Sequence, residues 1–360
     1  MKKSIKHILF IIVDILLIIF VFLGILTVAE YRPAPIEKVD FVTHSEFAAK
    51  SNLQVQYENQ EPITITTWNI GYAGLDETQD FFMDGGKGVR PKAKEIVENN
   101  LTGITNTIKS NSSDFWLFQE IDENSKRSYN INQIEYLSNE TKMGATHAYN
   151  YECFYVPFPF PTIGKVMSGV GTYSEYELQN SERIQLPVSF SWPVRTANMK
   201  RCLLVSRVSL GAGNPELVLV NVHLEAYDSG EGKIAQTKML VDLLEKEFNK
   251  GNYVIAGGDF NQLFPGHTQL AKMEGDVWLP GLLEHDIVPS ADWTLTTGNN
   301  APTCRSLHAP IANADRDSWL YYVIDGFIAS PNVSVQQTKV IDAGFKYSDH
   351  NPVSVEIILK

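Results

Sequence analysis

The stretch YSDHNPVSVEI, residues 347–357, places an acid and a histidine directly before a strand-like run. Apolar and polar residues alternate from 353 to 357, a pattern that predicts a half-buried β-strand. Asp349 and His350 would then lie at the beginning of a strand, where a sheet can hold a titratable pair in place. An ordinary hydrogen-bonded turn explains the same residues, because Asp and Asn are common in turns. The pair therefore needs support from the rest of the chain.

Five other strand-like segments bring similar side chains to their ends. Each is a short apolar run that stops on a carboxylate, an amide or a histidine. The segments are TWNIG with Asn69, FQEI with Glu120, NVHLE with Asn221 and His223, GGDFN with Asp259 and Asn261, and VIDGF with Asp325. Taken singly, each residue fits a turn, a solvated loop or a satisfied core histidine. Because strand ends converge on one rim of a sheet, the segments together predict a single site.

Strand-like and helix-like segments alternate along the chain from residue 62 onward. The pattern predicts a helix over 92–110 and a buried strand over 114–121. A further strand is predicted over 216–225, and the helix after it ends at Gly251. This alternation, without internal repeats or low-complexity tracts, predicts one α/β domain built on packed sheets.

The N-terminal segment has the composition of a membrane anchor. Residues 8–29 are apolar apart from Asp14, and at 1.5 Å per residue they extend roughly 33 Å. This length exceeds the hydrocarbon core of a bilayer, which is about 30 Å thick. It also exceeds the apolar part of a secretory signal, usually about 7–15 residues, so an uncleaved signal anchor is favoured. The sequence TVAE leaves cleavage open as the alternative.

These features predict three parts of the chain and a location. Residues 1–30 form a cytoplasmic tip and one transmembrane helix, residues 31–61 a polar tether with Pro33 and Pro35, and residues 62–360 the globular domain. The basic start MKKSIKH places the N-terminus in the cytoplasm. The predicted location is therefore the cell membrane, crossed once, with the globular domain outside the cytoplasm.

Composition and charge limit the expected partners. The 360 residues are 44% hydrophobic and 20% charged, as is typical of a globular protein. The formal net charge of −12 argues against a nonspecific nucleic-acid binder, which relies on a basic surface. We expect no stable nucleic-acid partner and no obligate protein partner. A nuclease remains an alternative, because a local metal site can receive phosphate on an acidic protein.

The cysteines do not define a metal site. Cys153, Cys202 and Cys304 lack the paired spacing that zinc ligands usually have. One disulfide with a spare thiol and three buried thiols are both compatible with the sequence.

The order and spacing of the six motifs resemble the endonuclease/exonuclease/phosphatase superfamily over residues 63–358. The specific part of the resemblance is GDFN combined with a late SDH before the last strand. The family includes DNase I-like nucleases, bacterial sphingomyelinases and inositol-polyphosphate phosphatases. The resemblance implies an α/β fold, a four-layer α/β/β/α sandwich of the DNase I-like type, here preceded by one N-terminal transmembrane helix. With its anchor, the chain looks like a membrane-anchored bacterial-type member, similar to relatives of the glycosylphosphatidylinositol-remodelling proteins.

A metal-dependent hydrolase of phosphate esters is the activity that this resemblance implies, and the residue types suit it. Mg²⁺, or Mn²⁺ in its place, prefers oxygen ligands, and we expect Glu120 to bind it with support from the amide oxygen of Asn69. Asp259 would orient or deprotonate the attacking water, and Asn261 would donate hydrogen bonds to the phosphoryl group. His350, held by a carboxylate, would contact the phosphate or transfer a proton.

The family resemblance adds roles for three more residues. It implies that Asp325 and Asp349 are the carboxylates that orient histidines, and that His223 is a second histidine on the phosphate side. The sequence does not determine which histidine pairs with which acid.

Two loops and one late arginine are candidates for substrate binding. The glycine-rich loop 75–91 carries Lys87 and Arg90 just beyond Asn69, and Arg305 follows late in the chain. The run FYVPFPFP contains four aromatic residues and three prolines, so it is neither a central strand nor a helix. It is either a packed crossing of the core or an exposed apolar loop that touches lipid.

The leading hypothesis is a membrane-anchored, Mg²⁺-dependent phosphoesterase that hydrolyses a phosphodiester or phosphomonoester outside the cytoplasm. Its expected substrate is a lipid or inositol-phosphate head group, and the alternative is an extracellular surface nuclease acting on DNA or RNA. A third hypothesis is a non-catalytic adaptor protein. It is disfavoured because the residues expected to bind the metal and activate water are all present.

Overall fold

The computed structural model describes residues 2–44, 46–50, 53–228, 230–270, 277–283 and 287–360. Its α-helices are α1 (Lys2–Val28), α2 (Leu53–Glu58), α3 (Lys94–Ser110), α4 (Gln133–Thr141) and α5 (Glu231–Phe248). Its strands are β1 (Ile36–Val39), β2 (Ile63–Asn69), β3 (Phe115–Asp122), β4 (Gly144–Val156), β5 (Gly164–Ser174), β6 (Gln179–Gln185), β7 (Cys202–Ser209), β8 (Glu216–His223), β9 (Tyr253–Asp259), β10 (Gln262–Leu263), β11 (Gly281–Leu282), β12 (Thr294–Thr296), β13 (Cys304–Arg305), β14 (Tyr321–Tyr322), β15 (Asp325–Ala329), β16 (Val333–Val340) and β17 (Val353–Leu359). The predicted helix over 92–110 and the strands over 114–121 and 216–225 are confirmed as α3, β3 and β8, with ends within about two residues.

Two large sheets lie back to back at the centre of the protein. The seven-stranded sheet has the order β1-β6-β7-β8-β9-β15-β12, and the six-stranded sheet has the order β16-β17-β2-β3-β5-β4. Leu117, Ile255 and Val355 belong to the buried apolar layer between them. Strands that bury both faces explain the nearly continuous apolar runs in the sequence.

Helices cover the outer face of each sheet. Val97 of α3 and Leu137 of α4 pack in a core with Trp116 of the six-stranded sheet. On the other side, Leu240 of α5 packs in a core with Val254 of the seven-stranded sheet. The order of layers is therefore helix, sheet, sheet, helix, which confirms the four-layer α/β/β/α sandwich.

The pairing of strands brings the candidate residues to one end of the sandwich. β9 and β15 are antiparallel, and their register places Asp259 directly opposite Asp325. Asp325 thus begins β15, whereas the sequence pattern placed it where a strand stops. β17 is antiparallel to β2, with Val353 opposite Thr67, so the segment before β17 lies beside the end of β2.

The segment 31–61, predicted to be a polar tether, contributes two elements to the domain. Its residues 36–39 form β1, which extends the seven-stranded sheet by pairing antiparallel with β6. Farther along, Leu53 of α2 is buried in the core between the sheets. The physical reason is that an edge strand has unpaired backbone groups, which a short neighbouring strand satisfies. The described part of the segment is packed against the domain.

The N-terminal helix α1 contains an apolar stretch, Ile5–Val28, that is long enough to cross a membrane. Its last turns contact the domain. The ring of Phe22 packs edge-on against that of Tyr155, and Trp192 Nε1 donates a hydrogen bond to Thr27 Oγ1 at 3.0 Å. The helix is therefore a candidate membrane span that docks on the domain at its C-terminal end.

The three cysteines are separate from one another. Cys153, Cys202 and Cys304 are all buried and free. Of the two alternatives that the sequence allowed, the structure supports three thiols.

Gly257 of β9 lies where a side chain would obstruct the packing of the two sheets. An added Cβ would lie 2.5 Å from Phe327 Cδ1 and 3.0 Å from Leu117 Cδ1. We expect Gly257→Ala to lower the free energy of unfolding by about 1–3 kcal/mol, because overpacking forces neighbouring groups to move. Thermal unfolding of the purified full chain measures the effect. Gly281→Ala is the control, since its Cβ would meet only Lys233 Nζ at 4.0 Å; equal losses in both variants would contradict the prediction.

Candidate active site

One cavity of about 630 Å³ collects most of the predicted site residues. The acids, amides and histidines at its polar end are Asn69, Glu120, His223, Asp259, Asn261, Asp349 and His350. All of them except Glu120 are buried. Asp325 lies behind His350 and contacts it from outside the cavity lining. The structure thus brings together the eight residues that the sequence assigned to metal binding and catalysis.

Asn69, at the end of β2, joins two carboxylates. Its Nδ2 donates hydrogen bonds to Glu120 Oε1 at 3.2 Å and to Asp259 Oδ2 at 3.0 Å. Its Oδ1 accepts a hydrogen bond from the backbone N–H of Gly71 at 3.0 Å, which determines the orientation of the amide. The sequence predicted a metal contact through this amide oxygen. In the structure, the oxygen accepts the hydrogen bond from Gly71. The side chain of Asn69 instead holds Glu120 and Asp259 together.

Asp259 is the central carboxylate. Its Oδ1 accepts a hydrogen bond from the backbone N–H of Asn261 at 2.8 Å. Its Oδ2 lies 3.7 Å from His223 Nε2 and 3.9 Å from His350 Nε2. Burial, reinforced by the charge of Asp325, raises the pKa of Asp259 to about 7. A carboxyl with a pKa near neutrality is suited to accept a proton from water.

His350 pairs with Asp325. The distance from His350 Nδ1 to Asp325 Oδ2 is 2.9 Å, and the backbone N–H of Asp325 donates to Thr303 Oγ1 at 3.2 Å. His350 Nε2 consequently faces Asp259, and it lies 3.8 Å from Asp349 Oδ2. Burial opposes the charged imidazolium, but the charge of Asp325 and its neighbours raises the pKa of His350 well above its ordinary value. The charge of Asp325 thus favours the protonated form of His350.

His223 is held in the opposite protonation state. Burial, together with the positive charges of Arg201 and His350, holds the pKa of His223 well below its ordinary value. Its Nδ1 has no hydrogen-bond partner among the described residues. The surroundings of the two histidines near Asp259 therefore favour opposite protonation states.

Glu120 projects into the cavity from an irregular point in β3. The register of β3 with β5 shifts between Phe118 and Ile121, and Glu120 has a φ of 53°. This left-handed backbone conformation costs free energy for a residue with a side chain, and such strain clusters at functional sites. The irregularity turns the carboxylate toward Asn69.

Arg127 supports Glu120, although nothing in the sequence motif marked it. Its Nη2 lies 3.9 Å from Glu120 Oε2. Two hydrogen bonds to Asp122, of 3.1 and 2.9 Å, hold the guanidinium over the ring of Tyr72. The one indication of this arginine in the sequence was Asp122, an acid on an apolar strand. The side chain of Asp122 is fully buried.

Lys87, Arg90 and Arg305 were predicted to bind substrate, and the structure places them in other surroundings. Lys87 is exposed and Arg90 half-buried, and neither lines the cavity. Their loop is folded back because Asp80 accepts hydrogen bonds from the backbone N–H groups of Lys87 and Gly88. Arg305 does line the cavity, but its Nη2 donates to the carbonyls of Leu75, Asp76 and Gln79. Arg305 therefore positions the adjacent loop.

The remaining site residues make local contacts. Asn261 Nδ2 donates to the carbonyl of Leu224 at 2.9 Å. Asp349 Oδ1 accepts from Ser348 Oγ at 3.3 Å, and burial raises the pKa of Asp349. Asn221 lies outside the cavity lining, because its amide is fully buried between the sheets.

Besides Glu120, the expected metal ligand, the site contains a second group of possible ligands for a divalent metal ion. Asp259, Asp325 and His350 each offer one ligand atom, and these atoms lie within 4.8 Å of one another. Asp325 Oδ1 is buried and has no hydrogen-bond partner among the described residues. A cluster of buried carboxylates is costly unless cations compensate it, and hard divalent ions prefer carboxylate oxygen.

A two-sheet α/β sandwich with acids, amides and histidines at its strand ends defines a class of hydrolases that act on phosphate esters. The sequence profile described as Endonuclease/Exonuclease/phosphatase family matches residues 66–350. The chain belongs to this family. A comparison with curated protein sequences gives no significant match.

Solved structures with the same fold share little sequence with this chain. The endonuclease/exonuclease/phosphatase from Beutenbergia cavernae DSM 12333 has a TM-score of 0.55 and 16% identity, covering 83% of this chain and 72% of that chain. The corresponding protein from Bacteroides vulgatus has a TM-score of 0.53 and 14% identity, covering 83% and 99%. The human Nocturnin catalytic domain with bound sulfate anion has a TM-score of 0.50 and 15% identity, covering 89% and 97%. At these identities the likeness concerns the fold alone.

Asp259→Asn should change how the stability of the metal-free protein depends on pH. The folded-state pKa of Asp259, about 7, lies above its ordinary value of 3.8. The folded protein therefore retains a proton that the unfolded chain releases, and the resulting stability is lost as the pH rises from about 4 through 7. The asparagine variant carries no such titration. We expect its Tm, relative to that of the wild type, to be higher at about pH 8 than at about pH 5.

Thermal unfolding in EDTA at the two pH values measures this difference. Asp242→Asn is the control, because the side chain of Asp242 is exposed on α5. Parallel pH profiles for the wild type and Asp259→Asn would contradict the raised pKa.

Proposed function

We propose that this protein is a membrane-anchored, Mg²⁺-dependent phosphoesterase that hydrolyses a phosphodiester or phosphomonoester in a lipid or inositol-phosphate head group outside the cytoplasm. The composition of the cavity carries the proposal. Its polar end holds Glu120, Asp259 and His350, whereas its walls include Phe22 of α1 and Phe158. A site that joins phosphoester chemistry to apolar walls suits an amphiphilic phosphate ester better than a polyanion.

The residues of the cavity have complementary roles in this reaction. Asp259 Oδ2 accepts a proton from the attacking water while the water oxygen forms a bond to phosphorus. The bond from phosphorus to the leaving oxygen breaks as His350 Nε2 donates its proton to that oxygen, and Asp325 stabilises the imidazolium before the transfer. His223 and Asn261 lie on the phosphate side and orient the phosphoryl group.

Glu120 is the proposed metal ligand, and Asn69 orients it through the hydrogen bond to Oε1. The bound metal, Mg²⁺ with Mn²⁺ as the alternative, would neutralise charge on the phosphoryl oxygens. Arg127 adds a fixed positive charge beside Glu120 and limits the orientations that its carboxylate can adopt.

The N-terminal sequence supports the proposed location. The basic residues Lys2, Lys3 and Lys6 lie at the start of α1, and by the positive-inside rule they favour a cytoplasmic N-terminus. Only residues 29–35 separate α1 from β1, so the domain stays close to the surface from which α1 emerges. A substrate in the same membrane is favoured by this short separation.

A comparison of substrates tests the proposal. The full chain is reconstituted with Mg²⁺ into phosphatidylcholine vesicles that contain phosphatidylinositol or phosphatidylglycerol, and release of head groups is followed. The same preparation is offered plasmid DNA, RNA and soluble inositol phosphates. We expect a higher kcat/KM, per phosphate, on a lipid or inositol phosphate than on nucleic acid. Efficient DNA cleavage without lipid turnover would establish the nuclease alternative, against which the net charge of −12 argues.

Hydrolysis should require a divalent metal ion. Glu120→Gln should lower the affinity of the protein for that ion without unfolding the domain. The amide keeps the size of the side chain but removes the charge that attracts the cation. We expect the Mg²⁺ concentration for half-maximal rate to rise about 10–100-fold, whereas Tm changes little. Glu98→Gln, on the exposed face of α3, is the control. Full activity in excess EDTA would contradict the metal requirement.

A further inference from the structure

The apolar stretch of α1 is longer than a bilayer core requires. Its 24 residues, Ile5–Val28, extend about 36 Å, against a hydrocarbon core of about 30 Å. Because Lys6 and His7 precede it, the core begins no earlier than Ile8, and about 20 residues of helix then bring its end near Thr27. Phe22, Leu23 and Leu26 then lie at the depth of lipid hydrocarbon. These three residues of α1 also line the catalytic cavity.

The end of α1 is fixed to the domain by several contacts. Leu26 is 4% exposed, and Thr27 accepts the hydrogen bond from Trp192. Just beyond the helix, Glu30 forms ion pairs of 3.3 Å with both Arg195 and Lys200. The angle between the helix and the domain is therefore set by packing and charge, and the same face of the domain is directed at the membrane.

Two loops beside the end of α1 expose large apolar side chains to solvent. We call these four residues the rim: Phe158, Phe160, Trp192 and Val194, with exposed fractions of 67%, 88%, 53% and 56%. Phe158 and Val194 line the same cavity as Phe22. A cluster of exposed aromatic and aliphatic side chains next to a membrane helix has the composition of an interfacial contact.

Positive charge lies at the level expected for lipid phosphates. Three cations, Arg32, Arg195 and Lys200, surround the single carboxylate of Glu30. The side chain of Arg32 is 62% exposed and that of Arg195 is 46% exposed. Basic residues that follow an apolar span are attracted to lipid head groups.

We propose that the rim is seated in the outer part of the bilayer and that the cavity opens sideways into the membrane along α1. A lipid phosphate ester enters from within the leaflet. Its phosphate reaches Asp259 and His350, and its hydrocarbon chains lie against Phe22, Leu23 and Leu26. The anchor helix is then also a wall of the substrate site. This inference rests on the proposed phosphoesterase activity for its substrate, but the seating of the rim does not.

The seating is tested without any substrate. The full chain is reconstituted in vesicles of phosphatidylcholine whose acyl chains carry bromine near the carbonyl end, and fluorescence is compared between the wild type and Trp192→Phe. The difference isolates Trp192 from the other tryptophans. We expect bromine to quench the Trp192 contribution by about half or more, and Phe160→Ser to reduce that quenching. Quenching of Trp192 by aqueous iodide, with none by bromine, would overturn the proposal.

Lateral entry is tested with two esters that differ only in their chain. Methyl 4-nitrophenyl phosphate is soluble, and hexadecyl 4-nitrophenyl phosphate resides in the bilayer, while both release the same nitrophenol. We expect the wild type to prefer the hexadecyl ester by at least about tenfold in kcat/KM, and Phe160→Ser to lower this preference about tenfold. Phe160 is suited to this test because it lies in the rim but outside the cavity lining.

Val55→Ser is the matched control. Val55 is 46% exposed on α2, which contacts the start of β9 through Tyr57 and Tyr253, at the opposite end of that strand from Asp259. The Val55→Ser variant should hydrolyse the methyl and hexadecyl esters at the same rates as the wild type. Equal rates on the two esters would overturn lateral entry. Hydrolysis of neither ester, with Trp192 still quenched by bromine, would instead contradict the phosphodiesterase form of the proposed activity and leave the seating supported.

Discussion

The amide of Asn69 links the two sheets at the end where the candidate site forms. Asn69 belongs to the six-stranded sheet, and its Nδ2 donates to Glu120 of the same sheet and to Asp259 of the other. The separation of these carboxylates therefore depends on how the sheets lie on each other. Packing around Gly257 sets that separation from inside the core. A site assembled across two sheets needs both to be rigid, which the buried apolar layer between them ensures.

The charges of the site follow from this arrangement. β9 and β15 place Asp259 and Asp325 side by side, and both are buried. The charge of Asp325 raises the cost of ionising Asp259, and His350 lies where it relieves part of that cost. His223 has no counterpart of Asp325 at its Nδ1 among the described residues, and burial together with the positive charge of Arg201 disfavours its charged form. One site can thus contain a charged and a neutral histidine without any difference in their depth.

Local patterns in the sequence predicted packed sheets and the grouping of the candidate site residues, whereas the four-layer order was implied by the family resemblance. Apolar runs mark buried strands, and a polar residue after such a run marks a strand end, so the grouping of Asp259 with His350 could be predicted. The pairing of His350 with Asp325 could not be predicted, since it depends on the antiparallel register of β9 and β15. Lys87 lies outside the cavity lining because Asp80 folds its loop back, a contact that no spacing rule reveals.

The participation of α1 in the cavity wall has a consequence for how such a protein is controlled. In many anchored proteins, a peptidase that cuts near the membrane releases a domain whose properties are unchanged. Here Phe22, Leu23 and Leu26 would be lost together with the helix, and the surface that covers Leu26 would become exposed to solvent. Shedding would alter the shape of the pocket as well as the location of the domain. Release into the medium and change of catalytic behaviour would then be one event.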